Sequence, residues 1–389
     1  MSDRRALGEM TTKIGSGATP RGGKAVYQQE GVAFIRSMNV LDNGMKLEPI
    51  ARLSPDAADQ LRGVTVEPGD VLINITGDSI ARCCVVETDA LPARVSQHVA
   101  IVRPTADLDS RFLQRYLVHP TTKDYLLSIS DGGTRKALTK RSLSELSVPC
   151  PPLRVQQAIA EVLGALDDKI AANTRTVDAA RHLIRARVSV AGTSCALRDV
   201  AILNKSSVNP QSMSAPTVAH FSLPAFDEGA WPEIVVPSQI KSNKFMVPGP
   251  AVLLSKLNPR IPRVWDVVGP PENSLASTEF LVLTTEVPST ALWGAISQPA
   301  TQVELASKVA GTSGSHQRVR PEEVMDLRIP DPRSLSQNVL AAIDGLGRCV
   351  WSLQAESQSL VRTRDELLPL LMSGKVRVKD AEKAVEEVV

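Results

Sequence analysis

A few motifs in this chain come close to known chemistry, and each of them departs from it. Asn258-Pro259-Arg260-Ile261 approaches the Asn-Pro-Pro-aromatic motif of amino-methyltransferases, but it lacks the second proline and the aromatic ring that would grip a flipped base. No GxxxxGK[ST] loop occurs, so the sequence encodes no ATP-driven motor. The glycine-rich stretches 132–134 and 311–315 do not open a helix after a strand, as a dinucleotide fingerprint should, and they are interpreted as loops.

The cysteines and histidines form no catalytic or metal-binding pattern. No CxxC pair occurs, and no cysteine lies near a histidine at zinc-ligand spacing, which predicts reduced thiols in a cytoplasmic protein and no metal site. The five cysteines are Cys83, Cys84, Cys150, Cys195 and Cys349. The five histidines are scattered without a partner at catalytic spacing, and they are His98, His119, His182, His220 and His316. We therefore predict no catalytic residue.

Composition limits the class of protein. The 389 residues suggest two or three domains, and 43% apolar residues are enough to build buried cores. A net charge of +2 argues against a basic protein that coats nucleic acid, but it permits a DNA reader with local positive charge. The first ten residues lack an apolar h-region and no run of 18 apolar residues occurs, which predicts neither a signal peptide nor a membrane span.

The chain repeats itself approximately, with a period of about 180 residues. Three short stretches recur in the same order, residues 7–10 at 197–200, 66–72 at 246–252, and 143–149 at 324–330. Each half contains a mixed region with short strand-like runs punctuated by Gly and Pro. In each half a proline-containing stop then precedes a long helical pattern, because proline is tolerated at a helix start.

Both helical patterns contain an apolar seam in alternating steps of four and three, which is typical of a coiled coil. The first seam is Ile159, Leu163, Leu166, Ile170, Asn173, Val177, Ala180 and Ile184. The second is Val339, Ile343, Leu346, Val350, Leu353, Ser357, Leu360, Arg364, Leu367 and Leu371. Two matched seams favour an antiparallel pair within the chain, although each helix could instead pack only on its own domain.

The order of domain, long helix, domain and long helix resembles the specificity subunits of type I restriction–modification systems over nearly the whole chain. Ser16-Gly17-Ala18-Thr19-Pro20 with residues 31–36 resembles the opening of a target recognition domain, and residues 68–73 with 76–77 its central hairpin. Residues 151–157, running into Ile159 and Leu166-Asp167-Asp168-Lys169-Ile170, are similar to the first spacer helix of that family. Residues 255–259 and 277–280 resemble a second subtype of recognition domain.

Two departures concern the second half. Asp344-Gly345-Leu346-Gly347-Arg348 stands where the family often has an acidic–basic run, and Pro250 replaces the acid found at Asp70. They leave the predicted architecture intact.

The resemblance implies an α+β fold, with two mixed α/β target recognition domains separated by two long helices that pair as an antiparallel coiled coil. The expected domains are residues 1–150 and 193–331, the spacer helices 151–192 and 332–375, and a C-terminal tail 376–389. The resemblance also implies that the dissimilar domains read an asymmetric bipartite DNA target and that the chain is not itself an enzyme. It implies two modification subunits and, through the complex, restriction subunits as partners, which supply the S-adenosylmethionine and ATP/Mg chemistry.

The residue types that remain suit DNA reading, because Arg, Lys, Asn and Gln contact base edges while Ser and Thr contact phosphates. The candidates in the first domain are Thr19, Arg21, Lys24, Arg36, Asn39, Gln97, Arg135 and Lys136. Those in the second are Lys241, Lys244, Lys256, Asn258, Arg260, Arg263, His316, Gln317 and Arg318. The loops around 132–136 and 311–318 stand out, since glycine lets the backbone approach a phosphate.

Two other hypotheses compete with this one. A free-standing enzyme on nucleic acid would require a catalytic constellation, and none is found. A coiled-coil adaptor explains the helices but not the two large domains with basic residues in loops.

Overall fold

A computed structural model of the protein describes residues 4–130, 137–308 and 317–386. It divides into two compact units, Met1–Lys169 with Leu360–Val389, and Ile170–Ser359. Among the described helices, none combines the length and the apolar character that a membrane-spanning helix requires. The predicted domain boundaries differ from these units, whose limits fall inside both long helices, and they stay a prediction.

The first unit is built from short strands, small helices and parts of two long helices. Its strands are β1 (Arg4–Ala6), β2 (Thr11–Ser16), β3 (Tyr27–Gln28), β4 (Val32–Ile35), β5 (Val40–Leu41), β6 (Gly44–Met45), β7 (Ala51–Leu53), β8 (Val71–Asn74), β9 (Cys83–Val85), β10 (Ala93–Val95), β11 (Val99–Pro104) and β12 (Ser147–Pro149). The helices of its segment Met1–Lys169 are α1 (Pro55–Gln60), α2 (Ser110–Val118), α3 (Pro120–Ser128), α4 (Lys140–Ser144) and the first part of α5 (Leu153–Ser189).

Two four-stranded sheets form the centre of this unit, in the orders β10-β4-β7-β3 and β2-β11-β8-β9. All four side chains of β8 are buried, as expected of a central strand covered on both faces. Strand β11 pairs antiparallel with both β2 and β8, and β1 pairs antiparallel with β12, which precedes α5. The five cysteines are all unpaired thiols.

The second unit repeats this plan. Its strands are β13 (Ser194–Ala196), β14 (Ile202–Asn204), β15 (Ser207–Val208), β16 (Val218–Phe221), β17 (Glu233–Val235), β18 (Lys244–Met246), β19 (Ala251–Ser255), β20 (Val264–Val267), β21 (Ser274–Ala276), β22 (Phe280–Thr284) and β23 (Arg328–Pro330). Its short helices are α6 (Leu223–Asp227), α7 (Ser289–Ile296), α8 (Pro299–Ser307) and α9 (Pro321–Met325).

The strand orders show that the repeat predicted from the sequence is a repeat of topology. The order β14-β22-β19-β20 in the second unit reproduces β2-β11-β8-β9 in the first, and β13-β23 reproduces β1-β12. Each unit also has one parallel pair at the equivalent place, β4 with β10 and β16 with β21. The α+β fold class is confirmed.

The long helices are α5 and α10 (Gln337–Ser373), each of 37 residues. Within the second unit they run antiparallel, since Val177 and Ala180 pack with Val350 while Asn173 lies beside Ser357. Within the first unit Arg364 Nη1 donates to Asp167 Oδ1 at 2.8 Å. The helices therefore meet along the predicted seams, although Leu368 rather than Leu367 is buried near the end of α10.

The tail predicted at 376–389 contains a further helix, α11 (Val378–Glu386). Ala381 and Val385 on it are buried. Their spacing of four residues places both side chains on one face of the helix.

Candidate nucleic-acid interface

In the first unit three segments meet where the central strand β8 ends. Ile75 N donates to the His98 carbonyl at 3.0 Å, and Leu138 N donates to the Ile75 carbonyl at 2.9 Å. Thr76 and Ala137 form an isolated β-bridge. We call Thr76, Gln97, His98 and Ala137 the first corner. It brings together the loop after β8, the turn before β11 and the residue that follows Lys136 in the chain.

The second unit builds the same junction 181 residues further on. Lys256 N donates to the Glu279 carbonyl at 2.8 Å, and Val319 N donates to the Lys256 carbonyl at 3.1 Å. Leu257 and Arg318 form the equivalent isolated bridge. We call Lys256, Leu257, Asn258, Glu279, Gln317 and Arg318 the second corner.

Both corners require a left-handed backbone residue at the same place. Gly77 has φ +81° in the first unit, and Asn258 has φ +49° in the second. Glycine carries no Cβ penalty there, and asparagine is among the residues that tolerate this region best. The sequence departs from glycine at the second corner without losing the turn, so the same backbone supports different side chains.

The side chains at the two corners differ in chemistry. At the first, Thr76 Oγ1 lies 2.7 Å from His98 Nδ1, and the exposed Gln97 side chain reaches His98 Nε2 at 3.4 Å. At the second, Arg318 Nε and Nη2 donate to the two carboxylate oxygens of Glu279 at 3.1 and 2.9 Å. Hydrogen bonding by the Arg318 guanidinium lowers the pKa of the Glu279 carboxyl from its ordinary value.

Several predicted DNA-binding residues lie at the corners. Gln97 belongs to the first corner, and Lys256, Asn258, Gln317 and Arg318 belong to the second. Arg135, Lys136 and His316 lie outside the described residues.

Other predicted residues of the first unit lie near its corner or on an exposed segment beside it. Thr19, Arg21 and Lys24 are exposed, and they follow Gly17 and Ala18, whose amides donate to the Val99 and Val95 carbonyls. Arg36 directly follows Ile35, whose carbonyl accepts from Ser96 N. Arg36 is partly buried, and its Nε makes no hydrogen bond in the described part of the chain.

Three predicted residues are held in structural roles and are removed from the proposed contacts. Asn39 is fully buried. Its side-chain amide is satisfied inside the protein, since Nδ2 donates to the Lys46 and Pro49 carbonyls and Oδ1 accepts from Arg36 N. The Lys244 ammonium is buried against Ser242, to whose Oγ it donates at 2.6 Å.

Arg263 is the third. Its side chain is 13% exposed and donates twice to Asp227 at 2.7 Å. Burial of this kind leaves little of a side chain free for DNA. The remaining two predicted residues, Lys241 and Arg260, are exposed.

Comparison with known proteins matches part of the chain to a known family. Residues 3–179 match the family model described as "Type I restriction modification DNA specificity domain". The HindI specificity subunit of Haemophilus influenzae is 29% identical over 147 residues, and the EcoBI specificity subunit of Escherichia coli is 27% identical over 132 residues.

The chain carries a type I restriction modification DNA specificity domain.

The predicted family is confirmed for this specificity domain, which occupies residues 3–179. The two curated matches cover 37% and 34% of the chain, and 32% and 27% of the relatives' own length, so the chain spans about a third or less of each relative. The crystal structure of the type I restriction–modification S subunit from M. genitalium superimposes with a TM-score of 0.57 at 12% identity and covers 95% of both chains. That likeness concerns the fold, and it extends beyond the specificity domain to the second unit.

Sequence reasoning missed Thr76, His98 and Glu279. Inside the specificity domain, His98 is one of the histidines for which the sequence offers no partner at catalytic spacing. The repeat contains the signal that could have found these residues, since Ser96-Gln97-His98-Val99 and Ser277-Thr278-Glu279-Phe280 occupy equivalent turns. A polar position that changes type between otherwise equivalent turns is a candidate for recognition.

Proposed function

We propose that this chain is the sequence-specific DNA-binding subunit of a type I restriction–modification complex in the cytoplasm. One observation carries the proposal: a chain with a type I specificity domain presents two corners of the same backbone and different side-chain chemistry. Two readers with unlike polar edges suit two unlike half-sites, since base edges are discriminated by their donor and acceptor patterns. The target would then be asymmetric and bipartite.

The chain would act without catalysis of its own. It would direct adenine methylation and restriction that are performed by partners, two modification subunits and, through the complex, restriction subunits. S-adenosylmethionine and ATP/Mg would bind to those partners. The absence of a methyltransferase motif and a P-loop from the sequence supports this division.

A mobility-shift assay with and without a modification subunit tests the proposal. We expect sequence-specific binding by the assembled complex, and methylation only when both proteins are present. Sequence-specific methylation by the chain alone would show a free-standing enzyme. If this chain binds the modification subunit but changes neither its DNA affinity nor its methylation pattern, the chain would be a coiled-coil adaptor.

A further inference from the structure

The guanidinium of Arg318 is hydrogen-bonded to a carboxylate along one edge, and its opposite edge makes no hydrogen bond to the described residues. Its Nε and Nη2 donate to Glu279, while in the described part of the structure Nη1 makes no hydrogen bond. The Arg318 side chain is 50% exposed and that of Glu279 is 27% exposed. A second N–H of Nη2 also points away from the carboxylate, because each terminal nitrogen of a guanidinium carries two donors. The outer edge of Arg318 thus offers two parallel donors.

Two parallel donors match one base edge in particular. Guanine presents O6 and N7 as adjacent acceptors in the major groove, and a guanidinium edge binds both at once. The paired carboxylate restricts the rotamers of the arginine, so less entropy is lost when the base is bound. We propose that Arg318, positioned by Glu279, reads a guanine in the half-site contacted by the second unit. This inference rests on the proposed function and names the base that the second corner selects.

Two other arginines of the second unit show why Arg318 is singled out. Arg333 is also bound at two nitrogens by one carboxylate, that of Asp331, and is 47% exposed, but its Nη1 donates to the Asp199 carbonyl at 2.8 Å. Arg263 is bound in the same way by Asp227, but its Nη1 is buried. Neither has an outer edge free for a base, whereas the outer edge of Arg318 makes no hydrogen bond to the described residues.

The described residues of the first corner include no arginine at the equivalent place. The residue equivalent to Arg318 is Ala137, and the residue equivalent to Glu279 is His98, which lies against Thr76 instead of an arginine. The preference for guanine at this point should therefore belong to one half-site only.

The test is methylome sequencing of cells that carry the complete complex with Arg318→Ala, Arg318→Lys or Glu279→Gln. With Arg318→Ala we expect discrimination at one G·C pair of one half-site to fall about 10- to 100-fold, the range for loss of one bidentate contact. Arg318→Lys should weaken the preference for guanine at the same position, because an ammonium cannot donate in parallel to O6 and N7. Glu279→Gln should weaken this preference by a smaller factor, since the arginine remains but loses the carboxylate that accepts from both of its nitrogens.

Arg333→Ala is the matched control, because it removes a similarly exposed arginine of the same unit that is also bound at two nitrogens by one carboxylate but has no free outer edge. We expect it to change no base preference. His98→Ala should leave the preference at the Arg318 position unchanged.

The outcomes separate the inference from the proposed function. A wild-type complex with no sequence preference would refute the function itself. A specific wild-type complex whose Arg318→Ala and Arg318→Lys variants retain every base preference would overturn the inference alone. A uniform loss of affinity across sequences, with a salt slope reduced by about 0.9, would make Arg318 a phosphate contact and would also overturn it.

Discussion

His119 and Pro369 are separated by 250 positions in the sequence, yet one structural detail depends on both. Pro369 lies inside α10 and has no N–H, so the Asp365 carbonyl four residues earlier lacks its helical donor. His119 Nε2 lies 3.2 Å from that carbonyl oxygen and donates to it. The helix therefore continues through a proline near its end, although proline in a helix interior ordinarily removes a hydrogen bond and kinks or breaks the helix.

Asp266 is a second residue whose behaviour depends on its surroundings. It lies on β20, and its carboxylate accepts from Ser289 Oγ at 2.8 Å and Thr290 Oγ1 at 2.5 Å. Burial raises its pKa from 3.8 to about 6, against the opposing effect of the hydroxyl hydrogen bonds and of the nearby Arg181 guanidinium. The folded protein therefore binds this proton more tightly than the unfolded chain does.

This raised pKa predicts a pH-dependent stability. The stabilisation is present below the ordinary value of 3.8 and is lost as pH rises through about 6. We expect Asp266→Asn to match the wild type near pH 4 and to unfold with a free energy higher by at most about 3 kcal/mol at pH 8. Denaturant unfolding at several pH values measures the difference between the two proteins.

Asp227→Asn is a control of opposite sign. Hydrogen bonding by Arg263 lowers the pKa of Asp227, so its contribution is present above the ordinary value and lost on acidification. A stability difference between Asp266→Asn and the wild type that does not vary from pH 4 to pH 8 would contradict the assignment.

Helix α10 has two glycines in different surroundings, one packed closely against α7 and one with no neighbouring atoms above it. A Cβ on Gly347 would clash with Thr290 Oγ1, whereas a Cβ on Gly345 would meet nothing within 4 Å. The Asp344-to-Arg348 run, which departs from the family pattern, thus contains a glycine required by the close approach of α7.

The two glycines make a matched pair of variants. Gly347→Ala should destabilise the protein by about 1–3 kcal/mol, because the added methyl displaces Thr290 and its hydrogen bond to Asp266. Gly345→Ala should stabilise it by about 0.5–1 kcal/mol, since alanine loses less backbone entropy in a helix. Thermal and denaturant unfolding of both variants measures the two effects, and equal shifts for both would contradict the packing of α10 on α7.

At the scale of the whole molecule, two units of one topology allow the readers to be exchanged separately. We expect replacement of residues 1–150 by the first domain of another type I specificity subunit to change one half of the DNA target and preserve the other. The reason is that the two corners are built entirely from their own units. Methylome sequencing reports both halves of the target.

The structure sets a condition for that exchange. Within the first unit Arg115 contacts Asp167 on α5, and His119 donates to the Asp365 carbonyl on α10. A donor domain that keeps Arg and His at these two positions should assemble, and one that lacks both is the matched control. If a well-folded exchange altered both halves of the target, the two units would not read independently.

The two seam helices, the proline stops before them and the lack of catalytic motifs could be predicted from the sequence alone. These features are local, because a seam of alternating four and three steps or a proline stop is visible within a few turns of chain. Which polar residues meet at the corners became visible in the folded chain, because those contacts join segments more than 20 and in places more than 60 residues apart. The tertiary structure also decided that Asn39 and Lys244 are buried and bonded while Glu279 holds Arg318, since burial of a polar side chain depends on partners that no local pattern specifies.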